Sequence, residues 1–154
     1  MAKLEIENFK AFRALEGRSL PVGDWLTVTQ EMINDFAKAT MDFQWIHVDV
    51  EKAAKHSPFK KPVAHGFMSL ALLARLLQDV IVVKSAKMGI NYGLNKVRFP
   101  SPVLVDSKLR LHCTIQKIEE YGDSGLKITW TCEVEIAGVD KPACVAEFIS
   151  LMFE

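Results

Sequence analysis

The sequence lacks net charge. Its 154 residues carry nineteen basic and nineteen acidic side chains, with no basic block, so a general nucleic-acid or membrane-surface role has no electrostatic support. Cysteine is scarce: Cys113, Cys132 and Cys144 form neither a CxxC pair nor an even-numbered framework. That argues against a disulfide scaffold and fits reduced, buried thiols in a cytoplasmic protein. Long unbroken apolar runs are missing as well. The most hydrophobic stretch, Phe67 to Val83, is interrupted by Arg75, Gln78 and Asp79 and reads as a buried helix rather than a membrane span. Lys3, Glu5 and Glu7 stand where a signal peptide would need an apolar region. With no linker, repeat or low-complexity tract, a single domain over 1–154 is expected, and a chain this long typically buries about 68–70% of its unfolded surface.

What is present divides into two halves of different period. Leu4, Phe9, Phe12 and Leu15 recur at roughly helical spacing before Gly17, which predicts an N-terminal helical arm over 1–20. "WLTVT" is a short strand candidate, and Thr29 is placed to cap a helix running to Thr40. A short helix is expected from Asp49 to about His56, a loop at "SPFKKP", and a buried helix from His65 to about Val80. The second half alternates. In "LKITWTCEVEI", Leu126, Ile128, Trp130, Cys132, Val134 and Ile136 fall on one face and the polar residues on the other. "NYGLNKVRF" and "KLRLHCTIQKI" supply two more strands, and "ACVAEFISLMF", apolar on both faces, belongs centrally or at a subunit contact. Helices first and then four sequential antiparallel strands is an α+β order, most economically packed as one curved sheet around the buried helix.

The candidate chemistry lies in "MDFQWIH" and "PVAHGF". On a continuous helix, Asp42 and His47 would diverge by about 140°. They converge only if the helix ends near Thr40, and then a carboxylate and an imidazole sharing one water could add it to, or remove it from, an activated double bond. The plainer alternative is a helix C-terminus with His47 nearby and a surface Asp42, and spacing alone favours it. Gly66, in the first turn of the buried helix, offers a backbone N–H at the positive end of the helix dipole that could polarise a thioester carbonyl. It could equally serve tight packing. His47, His56, His65, Asp42 and Asp49 show neither HExxH nor zinc-finger spacing, so no metal is expected. No phosphate loop or nucleophile elbow is present, and Ser69 taken alone reads as a core hydroxyl. Lys60, Lys61, Lys96 and Arg98 could meet the phosphates of a pantetheine carrier, but ordinary solvated charges are the better reading.

Taken together, "FAKATMDFQWIHVDVEKAAKHSPFKKPVAHGFMSLALL" resembles the hydratase signature of MaoC-like dehydratases and R-specific enoyl-CoA hydratases. The matching positions are spread across it, from Phe36, Thr40 and Asp42 through His47 and Asp49 to His65 and Gly66. "VRFPSPVLVDSKLRL" resembles the family's strand entering the sheet, so the likeness extends over roughly residues 20 to 153. "DFQWIHVD" and "NYGLNKVRFPSPV" are most similar to the branch that includes nodulation protein N. The resemblance implies a hot-dog fold, a long central helix wrapped by a curved antiparallel sheet, usually as a homodimer. It implies an enoyl-thioester hydratase, reversible as a 3-hydroxyacyl-thioester dehydratase, with an acyl-CoA or acyl-carrier-protein substrate and no cofactor. In that reading Asp42 and His47 hold the water and the Gly66 N–H holds the thioester oxygen, while Gln44, Trp45, His65, Phe67 and Ser69 line the substrate. Met41 stands where the common motif has Gly, and Gln44-Trp45 where it has Asn-Pro, departures that bear on substrate length rather than reaction type. A hot-dog thioesterase and a non-catalytic acyl-thioester-binding subunit are the alternatives.

Overall fold

The computed structural model describes residues 3–154. The chain opens with β1 (Leu4–Ile6) and α1 (Phe9–Arg13), whose N-cap Asn8 accepts a hydrogen bond from the Ala11 N–H. The expected helical arm is therefore helical over five residues only; its first two residues, Met1 and Ala2, lie outside the described residues. Leu4 to Ile6 become strand because they gain a parallel partner in β3 (Ile81–Val83) far along the chain, a pairing local periodicity cannot signal. Phe9 and Phe12 still point into the core, and the Phe12 ring lies 6.0 Å from that of Trp130.

The central segments follow the local rules closely. A short β2 (Leu26–Thr27) leads into α2 (Gln30–Thr40), where the Thr29 hydroxyl accepts from the Met32 N–H at 3.2 Å. The helix stops at Met41, which is left-handed at φ 61°. A four-residue α3 (Trp45–Val48) follows, then α4 (Val50–His56), capped by Asp49 accepting from the Lys52 N–H at 2.9 Å. The buried helix comes in two pieces, α5 (Gly66–Ala71) and α6 (Leu73–Val80). Leu72 between them keeps right-handed helical angles, and its N–H reaches both the Leu70 and Met68 carbonyls, so the axis tightens there instead of ending.

Four long strands complete the chain: β4 (Met88–Arg98), β5 (Lys108–Tyr121), β6 (Gly125–Ile136) and β7 (Cys144–Phe153). The antiparallel sheet runs β2-β5-β6-β7-β4. The expectation of four strands in sequential order needs correcting at β4, which pairs with β7 rather than with its chain neighbour β5. Residues 99–107 carry the chain back across the sheet to make this possible. In β6 the inward set Leu126, Ile128, Trp130, Cys132, Val134 and Ile136 is buried throughout, as the alternation requires. The Trp130 indole N–H donates to the Ser150 hydroxyl at 2.8 Å, so the largest core side chain buries no unpaired donor. All three cysteines are free and buried. Burial pushes the Cys144 thiol up to about 11, and the facing Cys132 thiol together with burial pushes Cys113 up as well.

One face is less covered than a helix apolar nearly all round should require. Phe67 is 70% exposed, and Met88, Ile90, Tyr92 and Leu94 are exposed along β4. In the single chain, α5 and α6 are thus packed on one side only.

Candidate active site

The site is assembled where α2 stops. Thr40 is the last helical residue, and the left-handed Met41 turns the chain so that Asp42 and His47 no longer obey helical geometry. The backbone N–H of Gln44 donates to the Asp42 carboxylate at 3.3 Å and shapes a short turn from Asp42 into α3. His47 sits on α3, buried, with its Nδ1 2.6 Å from the Val63 carbonyl. A carbonyl only accepts, so Nδ1 carries the proton and Nε2 keeps its lone pair. Burial, opposed by the Val63 hydrogen bond, leaves the His47 pKa below the ordinary 6.5, with His65 lowering it and Asp42 raising it to smaller degrees. His47 is therefore a neutral base near pH 7.

The second wall is the segment from Val63 to Gly66. Its register is fixed by two backbone bonds, Val63 N–H to Ile46 carbonyl at 3.0 Å and Ala64 N–H to Val103 carbonyl at 2.7 Å. This places His65, the N-cap of α5, directly over His47, with the rings stacked at 3.8 Å between centroids. The Phe36 ring packs 4.9 Å from His65 on another side. Gly66 opens α5, so its N–H is among the first-turn donors that have no partner within the helix. A Cβ there would lie 3.2 Å from the Phe99 ring, so the glycine also serves close packing.

Asp42, His47 and His65 each bring one ligand-capable atom to within 4.8 Å of the others. That spacing could hold a cation or a water. The two imidazoles are stacked in nearly parallel planes, 21° apart, so their lone pairs lie in separate layers, an arrangement that favours the water over a shared metal.

Of the other expected contacts, Gln44 is exposed and Trp45 half-buried, with the Lys52 ammonium 4.8 Å above its ring. Phe67 is exposed and T-shaped against Phe99 at 6.0 Å, and Ser69 is buried. Gln44, Trp45 and His65 border the pair; Phe67 and Ser69 lie further along α5. A cleft of about 240 Å³ between α5, α6 and β4, lined by Leu70, Ala74, Tyr92, Leu94 and Phe148, includes neither Asp42 nor His47. Its first residue, Leu70, is one turn beyond Gly66, on the same helix face. Val63 and Gln30 are site residues that sequence reasoning does not mark. The Gln30 side-chain amide donates to the His47 carbonyl at 2.8 Å from seventeen positions away.

The MaoC-like domain model matches residues 12–134. This chain belongs to the MaoC-like dehydratase family. It is 49% identical over 143 residues to 3-hydroxyacyl-thioester dehydratase Z of Mycobacterium tuberculosis, covering 93% of this chain and 94% of that one. Nodulation protein N of Rhizobium leguminosarum bv. viciae is 39% identical over 137 residues, covering 88% and 85%. These relatives place the chain in the nodulation protein N-like branch of the MaoC-like family. Among solved structures, a monoamine oxidase regulatory protein from Archaeoglobus superposes with a TM-score of 0.76 at 23% identity, covering 100% of this chain and 99% of that one. The fold is the α+β hot dog of that family. Among the described residues no helix is long and apolar enough to cross a membrane.

Proposed function

We propose that this MaoC-like protein is an enoyl-thioester hydratase, reversible as a 3-hydroxyacyl-thioester dehydratase, whose reaction is carried by Asp42, His47 and the Gly66 N–H. The observation that carries the residue assignment is the buried His47, with Nδ1–H tied to Val63 and Nε2 keeping its lone pair, in a cluster that brings one ring nitrogen of His47 and an Asp42 carboxylate oxygen within 4.8 Å.

In the hydration direction a water lies between the Asp42 carboxylate, which accepts one of its hydrogens, and His47 Nε2, which accepts the other. As the water oxygen bonds to C3 of the enoyl thioester, that second proton passes to Nε2. The π electrons shift toward the thioester oxygen, where the Gly66 N–H at the helix start stabilises the developing negative charge. C2 then collects the proton from the imidazolium, which returns His47 to its neutral form and leaves a 3-hydroxyacyl thioester. The step adds a proton and a hydroxyl across the double bond with no net oxidation or reduction and calls for no redox group.

The acyl chain fits the apolar cleft that begins one turn beyond Gly66, with Phe67 and Ser69 beside its path and Gln44, Trp45 and His65 around the reacting end. Acyl-CoA and acyl-carrier-protein thioesters present the same reacting group. We further propose a homodimer: β4 is the outer strand of the sheet, its exposed Met88, Ile90, Tyr92 and Leu94 adjoin the uncovered side of α5 and α6, and a second copy would cover both. Sedimentation at micromolar concentration checks this, with a 17.3 kDa species counting against it.

The assay is hydration of crotonyl-CoA and octenoyl-CoA, with free thiol release followed in parallel. Asp42→Asn and His47→Ala each should lose ~10²–10⁴ in turnover; full activity in either sinks the assignment. Thiol release from acyl-CoA without hydration would establish a thioesterase instead, and tight binding without turnover a non-catalytic acyl-thioester-binding subunit.

A further inference from the structure

We infer that Gln30 and His65 are positioning residues, which together suspend the reacting turn by holding the backbone carbonyls of the two reacting residues themselves. The inference rests on the assignment of Asp42 and His47 above.

Two bonds to Val63, from its N–H to the Ile46 carbonyl and from His47 Nδ1 to its carbonyl, hold the α3 end of the turn from Met41 to Val48, and the Asp42 end has little to hold it in place. Met41, Asp42, Phe43 and Gln44 are all exposed. Gln44 enters α3 without a side-chain cap, and α3 spans only four residues, too few to be stable alone. Two side chains reach in from outside. His65 Nε2 lies 3.0 Å from the Asp42 carbonyl, and since that oxygen only accepts, Nε2 carries the proton and donates it. The Gln30 amide donates to the His47 carbonyl at 2.8 Å, and to the Asn34 side chain at 2.9 Å. One hold comes from the start of α2 and the other from the N-cap of α5, so the turn is fixed to both helices that frame the site.

Both side chains leave their other polar atom buried and without a protein partner: Nδ1 of His65 and Oε1 of Gln30. A buried unpaired acceptor destabilises a fold, and a side chain that only filled space would do so better without one. What each delivers is the single hydrogen bond to the turn. His65 adds a second constraint, because its ring stacks on His47 and limits rotation of the base. Displacement of a reacting group by about 1 Å can lower a rate by ~10²-fold, so the effect should appear in turnover rather than in binding.

The test compares His65→Leu, His65→Gln, Gln30→Met and the double variant His65→Leu/Gln30→Met in enoyl-CoA hydration, with Asp42→Asn and His47→Ala assayed beside them and folding followed by urea titration. His65→Leu removes the donor, and should lower kcat ~10–100-fold while KM stays within about threefold of the parent. His65→Gln keeps an N–H in reach of the Asp42 carbonyl and should recover most of that loss. Gln30→Met, of similar shape with no donor, should lower kcat in the same manner. Because both holds act on one turn, the double variant should lose less than the product of the single losses. A parental kcat in His65→Leu, a rise in KM alone, or no recovery in a folded His65→Gln overturns the inference; a KM effect would make His65 a substrate contact instead. If His65→Leu does not fold, Gln30→Met and His65→Gln still decide. Full activity in Asp42→Asn and His47→Ala would overturn the catalytic pair first, an outcome distinct from failure of the positioning role alone.

Discussion

Strand β6 and the turn from Met41 to Val48 are held by opposite means. Every inward residue of β6 is an apolar side chain or Cys132, packed against strands on both sides, and the buried Trp130 indole N–H has its partner in Ser150. The turn has four exposed residues in succession, a left-handed methionine, and a buried imidazole tied by single hydrogen bonds to distant groups. Burial of apolar area is non-directional and tolerates small shifts, whereas hydrogen bonds weaken steeply with angle and distance. The strand supplies stability and the turn supplies geometry. Changes in β6 should therefore lower the unfolding midpoint and spare the turnover of molecules that remain folded, and loss of the hydrogen bonds that hold the turn should cost turnover more than stability.

The largest effect expected on the strand side is Trp130→Ala, which should lower stability by about 3–5 kcal/mol in urea titration while kcat per folded molecule stays near the parent. A selective loss of kcat there would erase the contrast. Ser150→Ala leaves the indole N–H buried and unpaired and should lower stability by about 1–3 kcal/mol, again without a turnover effect. On the turn side, Met41→Gly should raise stability by up to about 1 kcal/mol: at φ 61° a side chain is strained, the methionine is 80% exposed, and little burial is lost. A gain in the turn beside losses in the strand would sharpen the comparison most directly.

The smallest effect is the pH response of His47. Burial holds its folded pKa below 6.5, so between that lowered value and 6.5 the unfolded chain binds more protons than the folded one. The stability His47 gives by staying neutral is complete above pH 6.5 and declines as pH falls through that window. The acid limb of kcat/KM should likewise lie below pH 6.5, checked by a pH–rate profile on crotonyl-CoA. A limb above 6.5 would mean that His47 is not the base.

How far each region could be read from sequence follows the same division. β6 was legible because alternation is a property of consecutive residues, and the same holds for α2, whose cap at Thr29 and stop at Thr40 are local signals. The stop at Thr40 was the condition for Asp42 and His47 to meet, so half of the site geometry came with it. The pairings of β1 with β3 and of β4 with β7 were not legible, since both join segments far apart in the chain. Nor was the hold of His65 on Asp42, twenty-three residues away.

Residue order by itself determined the period of each segment, the helix stops, the balance of charge and the presence of an acid, a base and a glycine N–H in a family signature. The tertiary structure alone decided which nitrogen of His47 is free, that its pKa falls, and which carbonyls Gln30 and His65 hold. The physical reason is range. Propensity and capping act within one turn of chain, while tautomer, desolvation and the anchoring of a loop depend on groups that only folding brings within 3 Å.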